Sequence, residues 1–191
     1  QYTITMYPSV LTNKAGTGTS WTAGAGSLAN AQDHLQADDD KFAVCQINTS
    51  TGDPYSKGLL ATGLIDVRTG LPPVVPSNAA YLGCEIFIKK KAVNTSANII
   101  DQVVSLTLAG EQALTAMNLP ASGTWPETEE WYTYGAPQEC WNVLGIEGGL
   151  TFHDLIDPTF GAIIQCGVET EGVATAMIEQ LIFELTYEVP V

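Results

Sequence analysis

The sequence predicts an all-β fold, an antiparallel β-sandwich of the jelly-roll type with an extended N-terminal arm. Two observations carry this prediction. Apolar residues recur at every second position in several runs of the chain, which is the pattern of half-buried strands. Gly, Pro, Asn and Ser cluster between these runs, at 70–78, 118–123 and 145–149, as expected of turns and loops.

The alternating runs define the strands and the face that each should bury. Side chains at every second position of a strand point to the same side of the sheet, so one residue set enters the core. Helical periodicity is confined to 112–118 and 150–158, each long enough for a turn or two. The runs, with the residues expected on the buried face, are 81–92 (Leu82, Cys84, Ile86, Ile88), 99–110 (Ile100, Val104, Leu106, Leu108), 160–168 (Ala162, Ile164, Cys166, Val168) and 181–189 (Leu181, Phe183, Leu185, Tyr187, Val189).

Residues 1–20 differ in character from the rest of the chain. A strand-like segment, YTITMYPSV, is followed after a few residues by GTGTSWTAGAGS (16–27), which is too rich in Gly, Ser and Thr to be rigid by itself. We therefore predict an N-terminal arm and hinge at 1–20 and a single sandwich domain at 21–191. The alternative is that YTITMYPSV packs into the core.

The charge distribution is lopsided. The net charge is −14, and all seven Lys and Arg residues lie in the first 91 positions, whereas the remaining hundred residues hold fourteen acids. Such a chain repels phosphate backbones and anionic lipid, so we expect neither a nucleic-acid nor a membrane role. No run approaches the ~20 apolar residues that a transmembrane helix needs. Electrostatic docking would have to use the first half, where Lys89, Lys90 and Lys91 form a basic strip.

Few residues carry recognisable chemistry. The chain has two histidines, no G-x-S-x-G and no P-loop, so we expect no enzyme and no cofactor. The acids at 38–40 lack the spacing of an EF-hand calcium loop. The four cysteines form no C-x-x-C pair, and we expect buried free thiols, with disulfides of a secreted protein as the alternative.

The stretch WPETEEWYTYGAPQECW at 125–141 concentrates aromatic and acidic residues. Its carboxylates, Glu127, Glu129, Glu130 and Glu139, could serve a glycosidase, and its aromatics could form a sugar-stacking platform. Large aromatic side chains more often bury 150–250 Å² each in a core. We therefore predict a structural aromatic corner made by Trp125, Trp131, Tyr134 and Trp141.

Several segments follow one another in a familiar order. Read along 21–189, they resemble a β-sandwich pattern of structural proteins in tailed-bacteriophage virions, whereas 46–74 matches none of it and looks like an insertion. The segments are Trp21 with Asn30-Ala31, DDDKFAV (38–44), VPSNAAYLGCEIFIKKKA (75–92), IIDQVVSLTLAG (99–110), the set Trp125, Tyr132, Tyr134, Gly135 and Trp141, DLIDPTFGAIIQCGV (154–168) and AMIEQLIFELTYEV (176–189).

The resemblance implies a non-enzymatic virion component, specifically a capsid decoration (cement) protein. Such a protein would be assembled in the host cytoplasm, bind the major capsid protein on the capsid exterior and associate with itself as a homotrimer. Alternatives are a head-fibre or tail adhesin that binds host surface glycan, and a secreted carbohydrate-binding module. The contact residues that we predict are Tyr2, Ile4, Met6 and Tyr7 of the arm and Lys89, Lys90 and Lys91 of the basic strip.

Overall fold

A computed structural model describes residues 1–24, 28, 35–108, 111–112, 123–137 and 152–190. It confirms the all-β prediction, because pairing between the named strands is antiparallel and the one named helix has five residues. The elements are β1 (Tyr2–Asn13), β2 (Thr22–Ala23), β3 (Ala43–Asn48), β4 (Leu59–Asp66), β5 (Ala80–Asn94), β6 (Ile99–Leu108), β7 (Glu111–Gln112), β8 (Glu130–Gly135), α1 (Phe152–Ile156), β9 (Gly161–Val168) and β10 (Val173–Glu188).

The strands form one hydrogen-bonded network that folds into a sandwich. Its main path runs β2-β3-β10-β1-β4-β9-β6-β7, and β5 pairs with the other edge of β10 and carries β8. Strands β5 and β6 are not paired with each other, yet Lys90 of β5 contacts Asp101 of β6 in the interior. The two layers therefore face each other across the core at this point. The jelly-roll connectivity stays a prediction.

Strand β10 is the branch point of the sandwich. One of its edges pairs with β5, whereas the other is shared by β3, along Val173–Ile178, and by β1, along 183–187. Between these two partners the amide of Leu181 donates to the carbonyl of Leu35, at 3.1 Å. Leu35 is fully buried, so this residue belongs to the core beside β10.

The predicted buried faces are largely confirmed. In β5, β9 and β10 the alternating apolar residues enter the core, as Ile86, Ile164 and Leu185 illustrate. Strand β6 differs, because a register shift between Asp101 and Val103 changes which side chains point inward. Before the shift Ile99 and Asp101 are buried, and Ile100, which was expected to be buried, is only partly so.

The prediction of a free N-terminal arm is corrected by the structure. Strand β1 is internal: its first residues pair with β10 and its later ones with β4. Ile4 and Met6 are buried, and the ring of Tyr2 stacks on that of Tyr187 at 5.4 Å. Tyr7 is half-buried. The alternation in YTITMYPSV reflects core packing, so this segment is a strand of the sandwich and not a detached arm, although the side chain of Tyr2 is 57% exposed.

The Gly-, Ser- and Thr-rich connection after β1 is also held in place. The amide of Gly18 donates to the Asp53 carboxylate at 2.8 Å, and the indole nitrogen of the buried Trp21 donates to the carbonyl of Lys57 at 2.9 Å. These contacts replace the flexible hinge that its composition suggested. The boundary predicted between 1–20 and 21–191 does not separate two units here.

The segment 46–74, which looked like an insertion, contributes β4. This strand lies between β1 and β9 and buries Leu59, Ala61 and Leu64. Gly161 of β9 approaches it closely, since a Cβ there would lie 2.0 Å from the Ala61 carbonyl oxygen.

Trp141 and positions 113–118 of the first predicted helical turn lie outside the described residues, whereas α1 confirms the second predicted helical turn. Within the described chain, no helix is long and apolar enough to cross a membrane.

Candidate functional site

A buried ion pair connects the two layers. Lys90 of β5 is only 1% exposed, and its ammonium lies 2.9 Å from both carboxylate oxygens of Asp101 on β6. A charge this deep is costly to desolvate, so it needs a partner with close geometry. The bidentate contact supplies that partner and makes Lys90 a member of the core.

Aromatic side chains surround this pair. The Trp125 indole donates to Asp101 Oδ1 at 2.8 Å, and the Tyr134 hydroxyl donates to Oδ2 at 2.6 Å. The same hydroxyl accepts from Lys90 Nζ at 2.6 Å. The ammonium also lies 4.4, 4.5 and 5.3 Å from the ring centroids of Trp125, Tyr132 and Tyr134. We call these five residues the Lys90–Asp101 network.

Strand alternation accounts for the position of Lys90. Cys84, Ile86 and Ile88 point into the core, and Lys90 is the next residue on the same face, followed by Ala92. This corrects the prediction that Lys90 belongs to an exposed basic strip. The alternation in the sequence indicates this burial, because Lys90 lies at even spacing from the buried apolar residues of β5, whereas Lys89 and Lys91 lie at odd spacing.

Burial sets the acid–base character of the network. Desolvation lowers the pKa of the Lys90 ammonium, although the Asp101 carboxylate opposes that change. Desolvation, together with the same carboxylate, raises the pKa of the Tyr134 hydroxyl. In the network, the Lys90 ammonium therefore loses its proton more readily than an exposed lysine does, whereas the Tyr134 phenol stays protonated.

The other two lysines of the strip are neutralised by acids. Lys89 Nζ lies 2.6 Å from the buried Glu179, 2.8 Å from Asp38 and 3.5 Å from Glu129, and hydrogen bonds with the first two carboxylates raise its pKa. Lys91 pairs with Glu129 at 2.6 Å. The predicted strip is thus no free cationic surface, because both ammonium groups already have anionic partners.

The acids at 38–40 contribute to a group of three carboxylates. Asp40, Glu129 and Glu179 place one oxygen each within 4.8 Å of one another. The amide of Asp40 donates to Glu179 Oε1 at 3.0 Å, and Lys89 lies against Glu179 Oε2. The ammonium group of Lys89 therefore already balances part of the negative charge of these three carboxylates.

The aromatic stretch divides into buried and exposed members. Trp125 and Tyr134 are buried, and the structural role predicted for them requires that burial. Trp131 was predicted to share that role, but its side chain is 47% exposed on the outer face of β8. The fourth member, Trp141, is not among the described residues.

Trp131 lies at one side of a shallow apolar depression on the outer face of the sheet. We call it the Trp131 face and define it by five residues from β8, β5, β10 and β1. Its centre is apolar, and its rim carries a carboxylate and a hydroxyl that contact each other at 3.4 Å. The five residues are Trp131, Phe87, Ile182, Glu184 and Thr5.

Three described cysteines are buried free thiols, as predicted, namely Cys45, Cys84 and Cys166. Burial raises the pKa of the Cys84 and Cys166 thiols, which disfavours the reactive thiolate. Cys140 lies outside the described residues.

A glutamate of the Trp131 face, Glu184, lies directly opposite a second glutamate, Glu85. Glu85 of β5 is the register partner of Glu184 on β10, and burial together with the Glu184 charge raises the pKa of Glu85. Folding therefore favours the protonated acid, and the charged form reduces stability once the pH rises above the usual value of 4.5. We expect Glu85→Gln to stabilise the protein at neutral pH by about 0.2–1 kcal/mol.

Urea unfolding of Glu85→Gln and of the parent at several pH values tests this expectation. The gain should disappear as the pH falls below the usual glutamate pKa, because the parent then carries a neutral acid there too. Glu188→Gln, which removes the charge of an exposed glutamate on β10, the strand of Glu184, is the matched control. A stability gain of equal size in both variants would contradict the pairwise explanation.

No protein-family model matches this chain, and no curated protein matches it either.

Proposed function

We propose that the protein is a non-enzymatic structural component of a phage virion, a decoration (cement) protein that binds across capsomers on the capsid exterior. The observation that supports this proposal best is the Trp131 face. A half-exposed tryptophan beside Phe87 and Ile182 is an apolar surface of the kind that anchors protein interfaces. Its residues project from hydrogen-bonded strands, so little conformational freedom is lost on binding.

The mode of docking differs from the one that the sequence suggested. Tyr2, Ile4, Met6 and Tyr7 belong to an internal strand, and Lys90 is buried. Docking by an arm or by free lysines therefore has no support, and burial of apolar surface is the remaining source of affinity. Affinity from apolar burial depends weakly on ionic strength, in contrast to affinity from exposed charge pairs.

The acidic surface supports an exterior position. The net charge of −14 would repel packaged DNA across a solvent gap of about a Debye length, ~8–10 Å. Facing solvent, the same charge aids solubility. Buried free thiols suit assembly in a reducing cytoplasm. The proposed partners are the major capsid protein and further copies of this chain in a homotrimer.

Trp131→Ala tests the proposed contact. We expect the variant to bind capsids at least ~30-fold more weakly, since truncating an interface anchor typically costs about 2 kcal/mol or more. Its melting temperature should stay close to that of the parent, because surface substitutions usually change stability by less than about 0.5 kcal/mol. Co-sedimentation with undecorated capsids, over a range of protein concentrations, measures the change.

Val74→Ala is the matched control, because Val74 is also strongly exposed but lies in the loop before β5 and does not line the Trp131 face. It should bind capsids as the parent does. If Trp131→Ala saturates capsids at the parent affinity, the Trp131 face is not the docking surface. If the parent protein itself does not bind, the decoration function is wrong.

Glycan binding is the second candidate, as in a head-fibre or tail adhesin or a secreted carbohydrate-binding module. The polar rim of the Trp131 face favours it, because the indole can stack on a sugar ring while the Glu184 carboxylate accepts hydrogen bonds from its hydroxyl groups. A glycan-array signal that Trp131→Ala abolishes, together with unchanged capsid binding, would favour this candidate over decoration.

A further inference from the structure

The Lys90–Asp101 network plays no part in the proposed docking, yet it places an amine directly against a carboxyl group. Lys90 Nζ is equidistant from Asp101 Oδ1 and Oδ2, at 2.9 Å, so it faces the carbon between them. We propose that these two side chains condense into an intramolecular amide bond that joins β5 to β6. Lys90 and Asp101 would thus be a site of covalent self-modification.

Proximity supplies the first requirement of this reaction. Reacting groups held in the correct orientation behave as if present at effective molarities of ~10⁵–10⁸ M. The lysine and the aspartate are held by strands of opposite layers, and both side chains are almost fully buried. Neither group can easily leave this arrangement, and bulk water does not compete for the carboxyl carbon.

The surroundings favour the neutral forms that condensation needs. An ammonium ion is not a nucleophile, so its proton must first pass to the carboxylate. Burial lowers the pKa of Lys90, and a low-dielectric interior reduces the difference in free energy between the ion pair and the neutral pair. The rings of Trp125 and Tyr132 cover the amine and limit its access to solvent.

Tyr134 and Trp125 are positioned to move protons and to hold negative charge. The Tyr134 hydroxyl lies 2.6 Å from Lys90 Nζ and 2.6 Å from Asp101 Oδ2, so it can accept a proton from nitrogen while giving its own to oxygen. The Trp125 N–H, 2.8 Å from Asp101 Oδ1, stabilises negative charge that develops on that oxygen.

The steps balance as follows. The ammonium gives one proton to the carboxylate, which leaves an amine and a carboxylic acid. The amine nitrogen then forms a bond to Cγ of Asp101, and the former carbonyl oxygen, Oδ1, takes the negative charge beside Trp125. Tyr134 transfers a proton from the nitrogen to Oδ2, the Cγ–Oδ2 bond breaks, and one water molecule leaves. No oxidant, reductant or further reactant is required.

The mass of the purified full-length protein tests this inference directly. We expect the intact mass under denaturing conditions to be lower than the sequence mass by one water molecule. Digestion with trypsin locates the bond. Trypsin cleaves after Lys91, between the two joined residues, and the sequence has no later lysine or arginine at which it could cleave. The fragment 92–191 should then carry the dipeptide Lys90-Lys91 through the new amide.

Matched variants separate the proposed bond from other losses of water. Lys90→Arg should have its full sequence mass, whereas Lys89→Arg, which changes the neighbouring lysine outside the network, should keep the deficit. Tyr134→Phe should lose water at least tenfold more slowly after refolding, because the proton path is removed. Circular dichroism verifies that the variants are folded.

Two results would overturn the inference. One is a full intact mass for the parent after prolonged incubation of the folded protein, which would mean that the pair remains ionic. The other is a water deficit that maps elsewhere, with fragment 92–191 free of the dipeptide. Neither result depends on capsid binding, so the inference can fail without affecting the proposed function.

Discussion

Deleting residues 2–13 should leave a chain that does not fold. The deletion removes β1, which pairs with both β10 and β4, and it takes Ile4, Met6 and Leu11 out of the core. Burying one such side chain contributes about 1.5–3 kcal/mol, so the three together approach the ~5–15 kcal/mol that stabilises a typical domain. Far-UV circular dichroism and a thermal melt should show neither native strand signal nor a cooperative transition.

Adding the missing strand back is the informative control. A synthetic peptide of residues 1–13 should restore a cooperative transition if the truncated chain keeps the site between β4 and β10 available. Removal of the exposed Gln1 alone should have no effect. A truncated protein that melts like the parent would instead support the detachable arm that the sequence suggested.

Asp101→Ala should destabilise the protein by about 3–5 kcal/mol, because it leaves the buried ammonium of Lys90 without an anionic partner. It also removes the acceptor for the Trp125 indole and for the Tyr134 hydroxyl. Leaving buried donors unpaired adds to the loss. Urea unfolding of the variant and the parent at neutral pH measures the difference in the free energy of unfolding.

A second variant distinguishes two causes of the loss of stability, namely the unpaired buried charge and the loss of side-chain packing. Lys90→Met combined with Asp101→Leu removes both charges and keeps much of the side-chain volume. It should be more stable than Asp101→Ala alone, since no charge then remains buried without a partner. Equal stability of the two variants, or a loss below about 1 kcal/mol for Asp101→Ala, would contradict the central role of this pair.

The strands could be predicted well from alternation because burial on one face leaves a period of two in the sequence. Leu181, Phe183 and Leu185 lie on the face expected for them. Alternation also accounts for the two aromatic environments on β8. Tyr134 points inward on β8, whereas Trp131, at odd spacing from it, points outward.

The network was harder to predict, for two physical reasons. Lysine is rarely buried. The charge of Lys90 therefore predicted exposure, even though its position in the alternation matches that of the buried Ile86 and Ile88. Its partner Asp101 precedes a register shift that breaks the alternation of β6, and a shift of this kind depends on pairing with β9. The position of β1 likewise depends on partners distant in the sequence, which its own residues do not specify.

The pairing of β1 with β10 has a consequence for biosynthesis. β1 is synthesised before β10, which begins only at Val173. During translation the pairing of Tyr2 with Tyr187 is therefore delayed until β10 has been made. The alternating apolar face of β1 stays without its β10 partner in that interval. Such long-range pairing slows folding and leaves nascent chains open to association with one another. The sandwich can therefore close along β1 only after β10 has been made, although β1 precedes β10 in the chain.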